Sequence, residues 1–148
     1  MFNNKICFIL ATISFVVGDI EFMDCGSDVF VDHVEIDGCV ESPCPIVRGK
    51  TYDVYITPVH LDPRVDSIEV ETYIQVWGAY FLLQSACTNP CGTACPLRQP
   101  VDMPRLKFTI EFPRTLHRNP AELHIVAKLK NRIRITSEIC VSVGVELF

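Results

Sequence analysis

Eight cysteines are the residues of this 148-residue chain best able to do chemistry. Thiols at such density mean disulfide bonds or a metal site, and the redox compartment decides between them. Cys87, Cys91 and Cys95 form a Cys-x3-Cys-x3-Cys cluster with the donor type a soft metal would take. Zinc modules, however, use tighter pairs with a second pair elsewhere, and oxidation would consume the thiols. A loop staple with one spare thiol is the expected reading, with no metal and no other cofactor. The four histidines, His33, His60, His117 and His124, are scattered, and His124 alternates outward with Glu122 as on a solvated strand face. Glu69 and Glu71 share the polar parity of one segment, where charge is the norm. The chain lacks Gly-x-Ser-x-Gly, a phosphate loop and His-Glu-x-x-His, so no residue nominates a catalytic site and no enzyme is expected.

The N-terminus speaks to the compartment. Residues 1–18 carry one cation, Lys5, no acid, and an apolar run from Ile6 to Val17 closed by the small Gly18. This is the layout of a secretory leader cut after Gly18. The run is short for a membrane span, which needs about 20 apolar residues. Cleavage would leave Asp19–Phe148, drop Lys5 and move the formal charge from −5 to −6. Such a charge disfavours nucleic acid and stable attachment to anionic membranes, both of which call for basic patches. Cleavage also removes Cys7, so an odd number of cysteines remains on an oxidising route. Asn3, Asn4, Asn89, Asn119 and Asn131 all lack Ser or Thr two places on. Without a glycan tag for lysosomal delivery, an extracellular destination is expected.

The elements that must position these residues read as strands. Hydrophobic residues make up 49% of the chain, enough for one domain with a real core. Period-two alternation recurs, and no segment holds a helical period over three turns. Val54 and Ile56 follow Tyr52 on one parity, and Ile68, Val70, Ile74 and Val76 share another. Leu106, Phe108, Ile110 and Phe112 alternate most cleanly, followed by Leu123, Ile125, Ala127 and Leu129, then by Ile139 to Leu147. Val29 and Val31 change parity to Val34 and Ile36, which predicts a bulge near Asp32-His33. Breaks such as Asp37-Gly38, Asp62-Pro63 and Asn119-Pro120 separate the runs. About seven strands, each with one apolar face, must pair face to face, and a two-sheet β-sandwich does this.

Four motifs in order carry a family resemblance: Asp24-Cys25-Gly26, Cys39-x4-Cys44 followed by Arg48-Gly49-Lys50, Cys95-Pro96-Leu97, and the late Cys140. The whole span from Asp19 to Phe148 thereby resembles the MD-2-related lipid-recognition (ML) family, in the branch of Niemann-Pick type C2-like proteins and group 2 mite allergens. The resemblance implies an all-β, immunoglobulin-like sandwich whose sheets splay around a lipid. It implies the bridges Cys25–Cys140 and Cys39–Cys44, and a third from Cys95 to Cys87 or Cys91. Cys87 is favoured because it follows the strand end where the family's first loop cysteine lies. Cys140 sits on the parity of Glu138 and Ser142, away from the core face and facing a neighbouring segment.

The function implied is a secreted, monomeric carrier of a fatty acid, sterol or other lipid. A lipid-presenting immune co-receptor of the same fold and a lipid-free interaction module are the alternatives. The expected lining is apolar throughout: Val54, Ile56, Ile68, Val70, Ile74, Val76, Phe81, Leu97, Leu106, Phe108, Ile110, Phe112, Leu123 and Ile125. The same faces would serve a dry core that simply closes. Sterol-binding relatives carry a proline-rich stretch with an aromatic before the first loop cysteine, matched here by Phe81 in a shorter segment. They also place a tyrosine directly before a proline at the mouth, where this chain has Asn119-Pro120. Sterol specificity therefore does not carry over, and single-chain lipids fit equally well.

Overall fold

The computed structural model describes residues 20–86, 101–102, 105–132 and 134–148. The expected leader over residues 1–18 lies outside the described residues, as do Cys87, Cys91, Cys95 and Leu97. Alternation becomes strand along most of the described chain. In order the strands are β1 (Met23–Asp24), β2 (Val31–Ile36), β3 (Cys44–Ile46), β4 (Thr51–Pro58), β5 (His60–Leu61) and β6 (Ser67–Val76). They continue as β7 (Ala79–Ala86), β8 (Val101–Asp102), β9 (Leu106–Glu111), β10 (Pro120–Asn131) and β11 (Arg134–Leu147). The described residues thus hold eleven strands where about seven are expected, the additional ones being β1, β3, β5 and β8, each two or three residues long.

One layer runs β1-β11-β10-β6-β7 and the other β7-β9-β4-β2, with β3 added in parallel to β11. β7 belongs to both layers. Its first part pairs with β6 from Val76↔Ala79 to Thr72↔Leu83, and its last residues pair with β9 from Gln84↔Glu111 to Ala86↔Thr109. Ser85 and Ala86 thus remain strand by changing partner. β6 and β7 join through Trp77 and Gly78, both at positive φ (51° and 79°), as a two-residue hairpin turn matched to strand twist requires. Glycine takes this conformation freely, whereas Trp77 is an outlier for a bulky residue. The bulge near Asp32-His33 is present: Val31 faces Pro58 but His33 faces Thr57, so one extra residue flips the side-chain parity.

Inward residues of both layers form one core. Ile56, Ile74, Ile110, Phe112, Leu123, Ile125, Ile139, Val141 and Val143 are fully buried. The family-like motifs hold its margins. Asp24 Oδ1 accepts N–H bonds from Gly26 (2.9 Å) and Ser27 (2.7 Å), shaping the turn that carries Cys25. Cys25 is bonded to Cys140 across 115 residues, and its N–H donates to the Cys140 carbonyl at 2.9 Å. The second bridge, Cys39–Cys44, closes a tight loop before β3. Arg48 spreads its guanidinium over three carbonyls, Leu116 (2.6 Å), Phe148 (3.1 Å) and Arg114 (3.2 Å), tying the C-terminus to the loop after β9. Beside it Gly49 has φ +83°, and a Cβ there would lie 2.6 Å from Arg114 Cγ.

Candidate functional site

The residues that face one another between the layers are the natural candidates. β6 contributes Ile68, Val70, Ile74 and Val76, and β10 contributes Leu123 and Ile125. Leu123 pairs with Ile74, and Leu129 with Ile68, so these side chains share one face. From the other layer come Val54 and Ile56 on β4, Leu106, Phe108 and Ile110 on β9, and Phe112 just beyond. Phe112 meets the Tyr52 ring edge-on, with centroids 5.6 Å apart. All of these except the partly buried Tyr52 belong to one continuous buried cluster, so the two faces pack against each other.

Packing is least complete where β7 changes layer. From Ser67 to Glu71, β6 has ladder pairing to β10 on one side, while β7 has already left its other side for β9. Ile68 and Val70 lie on this stretch and retain 8% and 9% exposure, the highest among the buried members of the facing set. Two side-chain bonds span the fork: Ser85 Oγ donates to the Val70 carbonyl at 3.1 Å, and Thr72 Oγ1 to the Leu83 carbonyl at 3.4 Å.

Two details differ from the expected lining. Thr72 shares the inward parity of its neighbours on β6, Val70 and Ile74, and is fully buried, so the face is not wholly apolar. That parity is the sequence signal that points to it. Phe81, paired with Ile74 and therefore on the inward side of β7, is 47% exposed near the hairpin end rather than packed inside. Leu83, two residues on, takes the buried position. The remaining expected residue, Leu97, lies outside the described residues.

The acidic side chains on the outward face of β6, Glu69 and Glu71, are partnered. Glu71 accepts from Lys128 Nζ at 2.8 Å and from the Tyr73 hydroxyl at 2.9 Å, and these bonds hold its carboxyl below the usual value. The same contact raises Lys128 and Tyr73. Glu69 pairs with Lys130. A carboxylate pinned in its ionised form makes a poor general acid near neutral pH. His124 is half-buried, not freely solvated: it lies 3.4 Å from Gln75 Oε1 and 3.8 Å from Glu122 Oε1, with its ring 5.5 Å from that of Tyr80. Among the described residues, no three His, Cys, Asp or Glu side chains group as a metal site.

Recesses open on the described surface, among them the following three. One of about 680 Å³ lies between Ile20–Met23 and the outer face around Ser142 and Gly144. A second, of about 670 Å³, lies at the β10–β11 turn, and a third, of about 350 Å³, beside Gln84 and Thr109. None of these three is lined by the expected ligand residues, of which the described ones other than Phe81 lie in the interior.

Comparison with known proteins adds three findings. A family model described as the ML domain matches residues 19–147. No curated protein sequence matches the chain significantly. Among solved structures, a Niemann-Pick type C2 protein from the Japanese carpenter ant aligns over 86% of this chain and 99% of that one, with a TM-score of 0.65 at 20% identity. At that identity the likeness carries the fold.

Proposed function

The chain belongs to the ML domain family, and on that footing we propose that it is an extracellular carrier holding one lipid between its two sheets. The observation that supports this most is the fork between β6 and β7, where Ile68 and Val70 keep residual exposure and side-chain hydrogen bonds close the gap. A fatty acyl chain or sterol entering there would slide between β6–β10 and β4–β9, against Val54, Ile56, Phe108, Ile110 and Ile125. Each methylene taken from water contributes about 0.8 kcal/mol. About ten of them supply ~8 kcal/mol, and the cost of parting the packed faces is subtracted from that sum. A net affinity near micromolar or weaker follows. No catalytic group takes part in this function.

The two disulfides fit folding in an oxidising compartment, and residues 1–18 would be the leader that directs the chain there. The tight packing of the inward faces favours one rival reading, a lipid-free interaction module with a closed core. Native mass spectrometry of the purified protein, followed by organic extraction, decides between them. The carrier reading expects a co-purifying lipid or uptake of a fluorescent fatty acid or sterol at one-to-one stoichiometry. Neither appearing sinks it. If lipid does bind, a stable protein partner recovered from extracellular fluid would turn the carrier into a lipid-presenting co-receptor.

A further inference from the structure

A recess outside the interior gathers cations on an otherwise acidic chain. Arg64, Asn131, Arg132, Arg134 and Thr136 line a hollow of about 670 Å³ where the β10–β11 turn meets the loop before β6. That loop is clamped to the turn. Asp66 N–H donates to the Lys130 carbonyl at 3.0 Å, and Arg132 N–H donates to Asp66 Oδ2 at 2.8 Å. Arg132 holds a φ of 58°, which fixes the direction in which the turn leaves β10.

The three guanidiniums are not equivalent. Arg64 spends its Nε and Nη2 on the Asp62 carboxylate, at 3.0 and 2.7 Å, and that pairing pulls Asp62 down to about 2. The side chains of Arg132 and Arg134 are exposed and have no hydrogen-bond or ion-pair partner among the described residues. Other cations on or beside the strands are matched: Lys128 by Glu71, Lys130 by Glu69, Lys107 by Asp53 and, just before β9, Arg105 by Glu35. Two unmatched guanidiniums on one hollow repel each other, and an anion seated between them relieves that repulsion. Asn131 adds a neutral amide donor, while the Thr136 hydroxyl is already committed to the Leu129 carbonyl at 3.2 Å.

A single carboxylate would neutralise only one of the pair. A tetrahedral dianion has the charge for both and terminal oxygens for two forked contacts. We propose that Arg132 and Arg134 form a binding site for a phosphate monoester, with Asn131 as an auxiliary donor. Two sources share that chemistry, a soluble phosphate and the headgroup of phosphatidic acid in a bilayer. This site does not depend on a lipid being held between the sheets.

The test uses the purified protein in low salt with two probes. The first is calorimetric titration with inorganic phosphate, and the second is flotation with phosphatidylcholine vesicles with and without phosphatidic acid. Binding in the first arm assigns a soluble phosphate. Binding confined to phosphatidic acid vesicles assigns the headgroup. In either case Arg132→Gln with Arg134→Gln should weaken binding roughly tenfold or more, the size expected for losing charge-assisted hydrogen bonds. Arg134→Gln alone, on an exposed side chain, keeps the test open if the double variant folds poorly. Arg118→Gln, an exposed cation elsewhere, should change nothing. Binding to neither probe, or binding that survives Arg134→Gln and the folded double variant, overturns the proposal.

Discussion

If the fork between β6 and β7 is the way in, the two hydrogen bonds across it set how often it opens. Ser85 Oγ to the Val70 carbonyl, at 3.1 Å, has ordinary geometry, while Thr72 Oγ1 to Leu83 O, at 3.4 Å, is long and contributes less. A neutral hydrogen bond has a net worth of about 0.5–1.5 kcal/mol. Removing both with Ser85→Ala and Thr72→Val, the second keeping side-chain shape, should cost the closed seam about 1–2 kcal/mol. That is a factor of roughly 5–30 in the open population. Stopped-flow uptake of a fluorescent fatty acid should accelerate by that factor, and amides in Ser67–Glu71 should exchange faster with deuterium. Tyr73→Phe, which removes a bond to Glu71 on the outer face, should leave uptake unchanged. Faster exchange of those amides with an unaltered uptake rate would refute the fork as the route. Unaltered exchange would refute the claim that these bonds hold it shut.

Other consequences concern the frame around the site. The Cys25–Cys140 bridge closes 115 residues and Cys39–Cys44 only 5, so in the loop-entropy picture Ser replacement of the long bridge costs about 4–5 kcal/mol and of the short one about 2. Chemical denaturation of the two double variants measures this, and equal losses would show that loop closure is not the governing effect. Arg48→Met should destabilise by about 2 kcal/mol and Arg48→Lys should recover little, since a single ammonium does not reproduce a fork over three carbonyls. Denaturation midpoints read both, and full rescue by lysine would contradict the fork argument. Asp24 is held below its ordinary 3.8 by the Ser27 and Gly26 N–H groups, and Glu71 below its ordinary 4.5 by Lys128 and Tyr73. A depressed folded-state pKa adds stability above the ordinary value that is lost as pH falls through the folded one. Unfolding free energy should therefore be level from about pH 7 to 5 and decline below about 4. The contribution is small because both groups are well solvated. Asp24→Asn with Glu71→Gln should flatten the decline, and an unchanged slope would assign it to other carboxyls.

Period-two alternation suffices to read most strands, because burying one face of a sheet writes its parity directly into the sequence. The bulge at Asp32 is legible for the same reason: one extra residue flips parity and leaves Val31 and Val34 out of phase. Cys140 is legible too, since its outward parity matches a partner outside the core, and Cys25 is there. Thr72 is harder to read although its parity places it inside, because a threonine on an apolar face does not announce its carbonyl partner. Phe81 has the right parity and is nevertheless half-exposed, because parity tells which side a residue faces and not whether anything covers it.

The order of residues alone carries the all-β class and the pairing of apolar faces through local pattern, and an ordered set of motifs carries the family resemblance, which in turn implies the two disulfides. That β7 leaves β6 after Leu83 and joins β9 is visible only in the folded chain. The change of partner depends on which edge lies within hydrogen-bonding reach of Gln84, and no residue type encodes it. The same is true of Arg64 and the Arg132–Arg134 turn, which are far apart along the chain and meet at one recess because Asp66 clamps a loop to the β10–β11 turn. Strand parity is a local property that sequence carries directly. Adjacency of edges and turns is a long-range one, settled by the packing of the whole sandwich.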